Sequence, residues 1–214
     1  MTSKRLLASL ESKGLIMLSD KELPSAVRMV GGPSVTGSWW GHRDSLKIYN
    51  ELNDLEANPD VLVTRLVSGK VTYLHRRLWS DFLAVATSRA DWQMGNLRAD
   101  GRRLLALVEE RGEVRMDKLH SKPGQFRDAA KELEAKLLVY TDEIHTEKGS
   151  HAKVLMVWSR CPKLIGFRRV SRSVETAMET LEKVVDDLHP GDDGGSRLPW
   201  RQNYQEPPKR RKKS

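Results

Sequence analysis

DGRRLLALVEERGEVRMDKLHSKPGQFRDAAKELEAKLLVYTDEIHTEKGSHAKVLMVW, residues 100–158, is the stretch on which the reading of this chain turns. Arg102 to Glu110 carries apolar residues at helical spacing and stops at Gly112, a residue suited to a left-handed helix end. A short segment, Glu113 to His120, leads to the turn Ser121-Lys122-Pro123-Gly124, and Gln125 to Leu137 resumes the helical pattern. Leu138 to Ile144 and Ala152 to Trp158 read as strands joined by the polar loop His145 to His151. Helix, short helix, helix, hairpin is the order of a small fold that lays one helix in a DNA groove.

That order is a winged helix, and Gln125 to Leu137 is its candidate recognition helix. Phe126, Ala129, Ala130, Leu133 and Leu137 form the inward stripe, leaving Gln125, Arg127, Asp128, Lys131, Glu132 and Lys136 outward. Near the start of such a helix, Arg127 suits a bidentate contact with guanine and Gln125 one with adenine. Lys148 in the hairpin loop suits a phosphate. Gln125, Arg127, Lys131 and Lys148 are therefore the expected contacts with double-stranded DNA. The competing reading is an ordinary solvated face, since Asp128 and Glu132 dilute the charge.

Outward from this module, Leu6, Leu7 and Leu10 recur at helical spacing, with Gly14 as a stop. Asp44 offers a helix N-cap before Leu46, Ile48, Tyr49, Leu52 and Leu55, and Asn58-Pro59-Asp60 ends that run. Val61–Val67 and Lys70–Leu74 are rich in β-branched residues, and Ser68-Gly69 between them predicts a hairpin. Leu55-Glu56-Ala57 precedes this hairpin as Leu133-Glu134-Ala135 precedes the other, which suggests a diverged repeat of winged-helix-like units. The expected fold is α+β, mainly helical with two hairpins and a C-terminal winged helix-turn-helix. Its expected parts are an N-terminal α/β domain (1–95), a winged-helix domain with a further helix (96–189) and a basic tail without fixed structure (190–214).

The chain has 214 residues, a formal net charge of +8 and 31% charged side chains. The excess favours a polyanionic partner, double-stranded DNA above all. Five Lys and Arg residues from Lys209 to Lys213 supply much of it, yet the body without them stays modestly positive. One cysteine, Cys161, excludes an intramolecular disulfide framework and any multi-cysteine metal site, and suits a reducing cytoplasm. Arg160 and Lys163 beside it favour a lowered thiol pKa, against the plainer role of a packing residue. No apolar run reaches membrane-spanning length, so no membrane partner is expected. His120, His145 and His151 lack a fourth ligand at a diagnostic spacing, so neither a metal nor another cofactor is expected. A pairing of His145 with His151 across the loop is the simpler reading.

Ser38-Trp39-Trp40-Gly41-His42-Arg43 is the strangest short string. One reading makes Trp39 and Trp40 a platform for a base; the favoured one makes them the plug of a seam between domains. A second histidine stands beside basic residues in Tyr73-Leu74-His75-Arg76-Arg77. Should the clusters meet, His42 and His75 become a candidate acid and base, with Arg43, Arg76 and Arg77 for phosphate. No phosphate-binding Gly-rich loop, nucleophile elbow or His-Glu-x-x-His motif is present.

Gly37 to His42, Val61 to Trp79 and Glu143-Ile144-His145-Thr146-Glu147 together resemble a bacterial family of winged-helix proteins. The resemblance covers about residues 3 to 188 and implies the fold, not an activity. The chain is more loosely similar to AlkZ-like DNA glycosylases, which are built from tandem winged helices and use a Gln-x-Gln or Gln-x-Asp motif. Gln93, Gln125, Gln202 and Gln205 are not followed two places on by Gln or Asp, so no glycosylase activity carries over. The expected function is DNA binding in regulation or repair. Beside it stand a nucleic-acid processing enzyme using the Trp39–His42 and His75 region, and a protein-interaction module.

Overall fold

The computed structural model describes residues 2–33, 35, 38–119, 125–145, 149, 151–189 and 193–201. Its first half runs α1 (Thr2–Lys13), β1 (Leu15–Met17), α2 (Ala26–Gly31), α3 (Ser45–Ala57), β2 (Val61–Val67) and β3 (Lys70–His75). Two helices follow, α4 (Trp79–Ala86) and the single turn α5 (Asp91–Met94). The second half repeats the plan with α6 (Ala99–Arg111), β4 (Glu113–Arg115), a 3-10 turn at Met116–Lys118, α7 (Gln125–Ala135), β5 (Tyr140–His145) and β6 (His151–Met156). A last helix, α8 (Val174–Leu188), completes an α+β structure with two three-stranded antiparallel sheets.

Both sheets place the last strand in the middle, in the orders β1-β3-β2 and β4-β6-β5. The likeness reaches individual residues. Gly14 closes α1 with φ 87° and donates its amide to Leu10 O at 2.7 Å; Gly112 closes α6 with φ 79° and donates to Val108 O at 2.8 Å. Each glycine turns a helix directly into the first strand of its sheet, a backbone conformation that costs an L side chain energy. Each then accepts from the residue that ends the hairpin, His75 N on Gly14 O at 2.8 Å and Val157 N on Gly112 O at 3.0 Å. Glu113 to His120, expected as a short helix, instead begins with strand β4, because Val114 pairs with Leu155 in the sheet.

The Ser68-Gly69 turn forms as predicted, with φ 52° and 65°. Positive φ at both central residues is what a right-twisted two-residue hairpin requires. His145 and His151 are cross-strand partners, their rings 4.2 Å apart. Each half has its own core: Leu6, Ile16, Ile48, Leu52 and Tyr73 in the first, Leu104, Val108, Leu133 and Leu155 in the second. A third core lies between them, around α4.

All eight residues of α4 are buried, and Trp79, Phe82 and Val85 pack with Leu181 and Val185 of α8. Trp158, just past β6, joins this core edge-on to Phe82 at 5.0 Å. α8, expected to belong to the second half, packs instead on α4. Residues 190–214, expected to lack fixed structure, are in part ordered. Residues 193–201 are packed: Leu198 is fully buried, Ser68 N donates to Arg197 O at 2.8 Å, and Trp200 Nε1 donates to Glu182 at 2.7 Å. Residues 202–214 lie outside the described part.

Candidate functional site

The two halves leave a cleft of about 930 Å³ between them. From the first half, Tyr49, Asn53 and Glu56 line it from one face of α3, spaced four and three residues apart as a helix surface requires. Val63 and Arg65 of β2, Tyr140 and Asp142 of β5, and His151 and Lys153 of β6 also line it. Thr64, Thr141 and Glu143 line it as well, so β2 and β5 meet the cleft along consecutive residues and not with one side alone.

Trp39 and Trp40 form one edge of this cleft, from a 3-10 turn at Trp39–Gly41. Their rings stack with centroids 4.0 Å apart and planes at 23°, and Tyr49 stands 6.0 Å from Trp40. Trp39 is buried in the first core, whereas Trp40 is 65% exposed. A plug made of both rings is therefore not what forms: one ring anchors, and the other is presented.

The two histidine clusters do not meet. His42 sits just before α3, its Nδ1 accepting from Asp44 N at 3.2 Å. His75 pairs with Val61, just past the other end of α3. That helix is 13 residues long, about 20 Å. Burial lowers the His75 pKa, with Arg77 adding to the effect and Glu11 and Asp60 opposing it. Arg76 is paired with Asp60 at 3.2 Å, next to the start of β2, and Arg77 donates to Ser12 O at 3.1 Å, at the end of α1. Arg43 is 89% exposed and 3.7 Å from Asp44.

The ionisable groups that do meet in the cleft belong to another set. Tyr73 donates its hydroxyl to Glu56 Oε1 at 2.8 Å. Lys163, from beyond the second sheet, donates to the backbone oxygens of Glu56 (2.6 Å) and Asn58 (2.9 Å). Glu56 is an exposed residue of the cleft wall, though its carboxyl is partly desolvated by the protein around it. That desolvation raises its pKa, against the pull of the Tyr73 hydroxyl and Lys163, and nearby Asp142 adds to the rise. Burial also raises the Tyr140 phenol, with Cys161, Asp142 and Glu56 contributing. Cys161 is raised to about 11 by burial, so it is a packed thiol and not the activated one its basic neighbours suggested.

Glu134, also on the cleft wall, is compensated where Glu56 is not. It accepts from Lys153 Nζ at 2.7 and 2.8 Å and from Thr141 Oγ1 at 2.8 Å, and Arg65 Nε lies 3.6 Å away across the two halves. No lysine or arginine is paired with the Glu56 carboxylate among the described residues.

On α7, Arg127 and Lys131 are exposed as expected, Lys131 3.9 Å from Asp128. Together with Met116, Phe126 and Lys153 they line a second groove of about 450 Å³. Glu132 and Lys136, expected outward, are buried. Glu132 receives the Arg98 backbone N–H and Nε, each at 3.2 Å, and Lys136 Nζ donates to Trp92 O at 2.9 Å. Gln125 is the first residue of α7. Lys148 and His120 lie outside the described residues. No group of three His, Cys, Asp or Glu among the described residues is placed to hold a metal ion.

No family model, curated protein or solved structure matches the chain. None of its described helices is long and apolar enough to cross a membrane. Glu56 escaped the sequence reading, although the signal was present: it is the middle residue of the Leu-Glu-Ala run that marked the repeat, in the place Glu134 holds in the second half.

Proposed function

We propose that the chain is a double-stranded DNA-binding protein made of two winged-helix units in tandem. The observation that carries this reading is the repeated plan of helix, strand, a short helix or 3-10 turn, helix and hairpin, with the sheet order first-third-second in each half. In a unit of this plan the helix before the hairpin is the one that enters the major groove. In the second unit that helix is α7, whose Arg127 and Lys131 are exposed opposite the buried Ala129, Ala130 and Leu133. Arg127 reads a base edge or a phosphate, Lys131 a phosphate, and Gln125 and Lys148 complete the contact. The basic run from Lys209 to Lys213 adds attraction without sequence preference.

The test is fluorescence anisotropy of a labelled duplex across a salt series, with the full chain and with a version ending at Arg201. Binding by the shorter chain that weakens steeply with salt, and weakens further in Arg127→Ala, is the expected result. Binding that disappears with residues 202–214 assigns DNA affinity to the tail alone and removes the folded units from the role.

A further inference from the structure

The cleft between the halves has a chemistry of its own. Of the five large apolar side chains exposed among the described residues, two (Trp40 and Tyr49) line one rim of it, within ten residues of chain. Exposed aromatic surface costs solvation unless something planar covers it. Trp40 is held flat by its stack on the buried Trp39, so it presents a fixed face and not a mobile ring.

Below that rim the lining carries the donors Asn53, Arg65 and His151 as well as carboxylates, of which Glu56 is without a paired cation among the described residues. Glu134 is occupied by Lys153 and Thr141 and approached by Arg65, and Lys163 is spent on two backbone oxygens. The Glu56 carboxylate, oriented by Tyr73 from one side, remains, with Asp142 lining the cleft from the second half. A carboxylate without a paired cation suits a ring that brings N–H donors to it. The basic group beside the stack is Arg43, three residues past Trp40 and almost fully exposed, therefore outside the floor.

We propose that this cleft takes one unpaired nucleobase, stacked on Trp40 beside Tyr49, with its N–H edge toward Glu56 and its phosphate left at the rim near Arg43. The proposal rests on the reading of the chain as a DNA-binding protein, and it names what that protein does with a base that is out of the helix. The cleft volume lies within the range of about 300–1,000 Å³ usual for small-ligand sites. Taking a base out of a bulge costs less than taking one out of a paired stack. Guanine, with N1–H and N2–H₂ together, offers a carboxylate two donors, whereas thymine offers only N3–H. Guanine is therefore preferred and thymine least favoured.

The experiment compares the full chain on three probes: a fully paired duplex, the same duplex with one bulged guanine or thymine, and free 2′-deoxyguanosine monophosphate. The bulged-guanine duplex is expected to bind about ten-fold tighter than the paired one, and the bulged-thymine duplex to gain less. Trp40→Ala is expected to erase the difference between bulged and paired duplexes, Trp40→Phe to restore part of it, and Glu56→Gln to even out guanine and thymine. Equal binding of paired and bulged duplexes overturns the base site while leaving the DNA reading intact. Failure to bind any duplex, with the free monophosphate bound in a Trp40-dependent way, keeps the base site and overturns its DNA source. Binding of none of the three overturns both.

Discussion

Glu56 and Glu134 hold the same place in the two halves, each in a Leu-Glu-Ala run at the end of a helix before a hairpin, and both line one cleft. Their surroundings have diverged. Glu134 has a lysine, a threonine and an arginine around it, while Glu56 has a tyrosine hydroxyl and a neighbouring aspartate. A buried carboxylate with its cation in place is part of the framework. Glu56 is exposed at the cleft wall, and partial desolvation without a paired cation raises its pKa, a pattern frequent at functional sites.

The contrast fixes the sign of two substitutions. The raised pKa of Glu56 means the folded chain binds its proton more tightly than the unfolded chain does. Stability from this group is full below the ordinary value of 4.5 and is lost as pH rises through the folded pKa. Glu56→Gln keeps an acceptor for Tyr73 and removes the charge. The variant is expected to be more stable than the parent at pH 7, with the gap closing below about pH 4.5, in urea unfolding at a series of pH values. Glu134→Gln strands Lys153 and Arg65 and is expected to cost about 2 kcal/mol at neutral pH, toward the low end because both cations keep some solvent.

The two tryptophans separate in the same manner. Trp39→Ala empties a place in the first core beside Val30, Val35 and Ile48. A loss of about 3 kcal/mol is expected from such a truncation. Trp40→Ala removes a ring that is mostly in water, and a loss below about 1 kcal/mol is expected. Chemical denaturation of both variants checks the ranking. Equal losses mean that the Trp40 ring is structural and that the cleft lacks a presented platform.

How much of this was legible in the sequence follows the reach of the interactions. Helices with a one-sided apolar stripe and the Ser68-Gly69 hairpin were readable because their causes lie within a few residues. Glu132 and Lys136 were misplaced because their partners, Arg98 and Trp92, lie 34 and 44 residues away and outweigh a polar side chain's preference for water. β4 was missed because a strand of three residues has too short a pattern to show alternation. Leu198 and Trp200 looked like tail because Pro190-Gly191 and Gly194-Gly195 read as a break, whereas Asp186 accepts from Gly195 N at 2.7 Å and folds the segment back on α8. The site suffered most. Glu56 and Tyr73 meet Asp142 and Lys163 from the other half of the chain, and apart from the Leu-Glu-Ala run around Glu56 nothing in their local sequence distinguishes them.

Gly14 and Gly112 make the repeat testable at the backbone. Both have positive φ, and a Cβ on Gly14 would stand 2.7 Å from the Arg77 guanidinium; one on Gly112 would meet the Arg160 guanidinium still more closely. Strain from the left-handed backbone alone is worth about 1 kcal/mol for alanine. Gly14→Ala and Gly112→Ala are both expected to lower the unfolding free energy by about 1–2 kcal/mol. Arg160→Ala in the Gly112→Ala background is expected to return part of the loss, because it removes the steric share and leaves the backbone share. Full recovery would place the whole effect in the side chain.

Asp20 sets the acid limit of the first half. Its side chain is 2% exposed, and burial works against its charge. Lys70 Nζ at 2.6 Å and the amides of Glu22 and Leu23, at 3.0 and 3.1 Å, outweigh that cost and hold the carboxyl at about 2, below its ordinary 3.8. With the folded pKa depressed, the unfolded chain takes up the proton first as the solution is acidified. The contribution is complete above 3.8 and is lost as pH falls through about 2. At about 1.4 kcal/mol for each pKa unit it amounts to roughly 2 kcal/mol, somewhat less because Lys70 is half exposed. Asp20→Asn is expected to lose that amount at pH 7 and to converge with the parent between pH 4 and pH 2, read from urea midpoints at each pH. A difference that persists unchanged at pH 2 would assign the loss to the turn geometry of Glu22 and Leu23, and not to the charge that Lys70 holds.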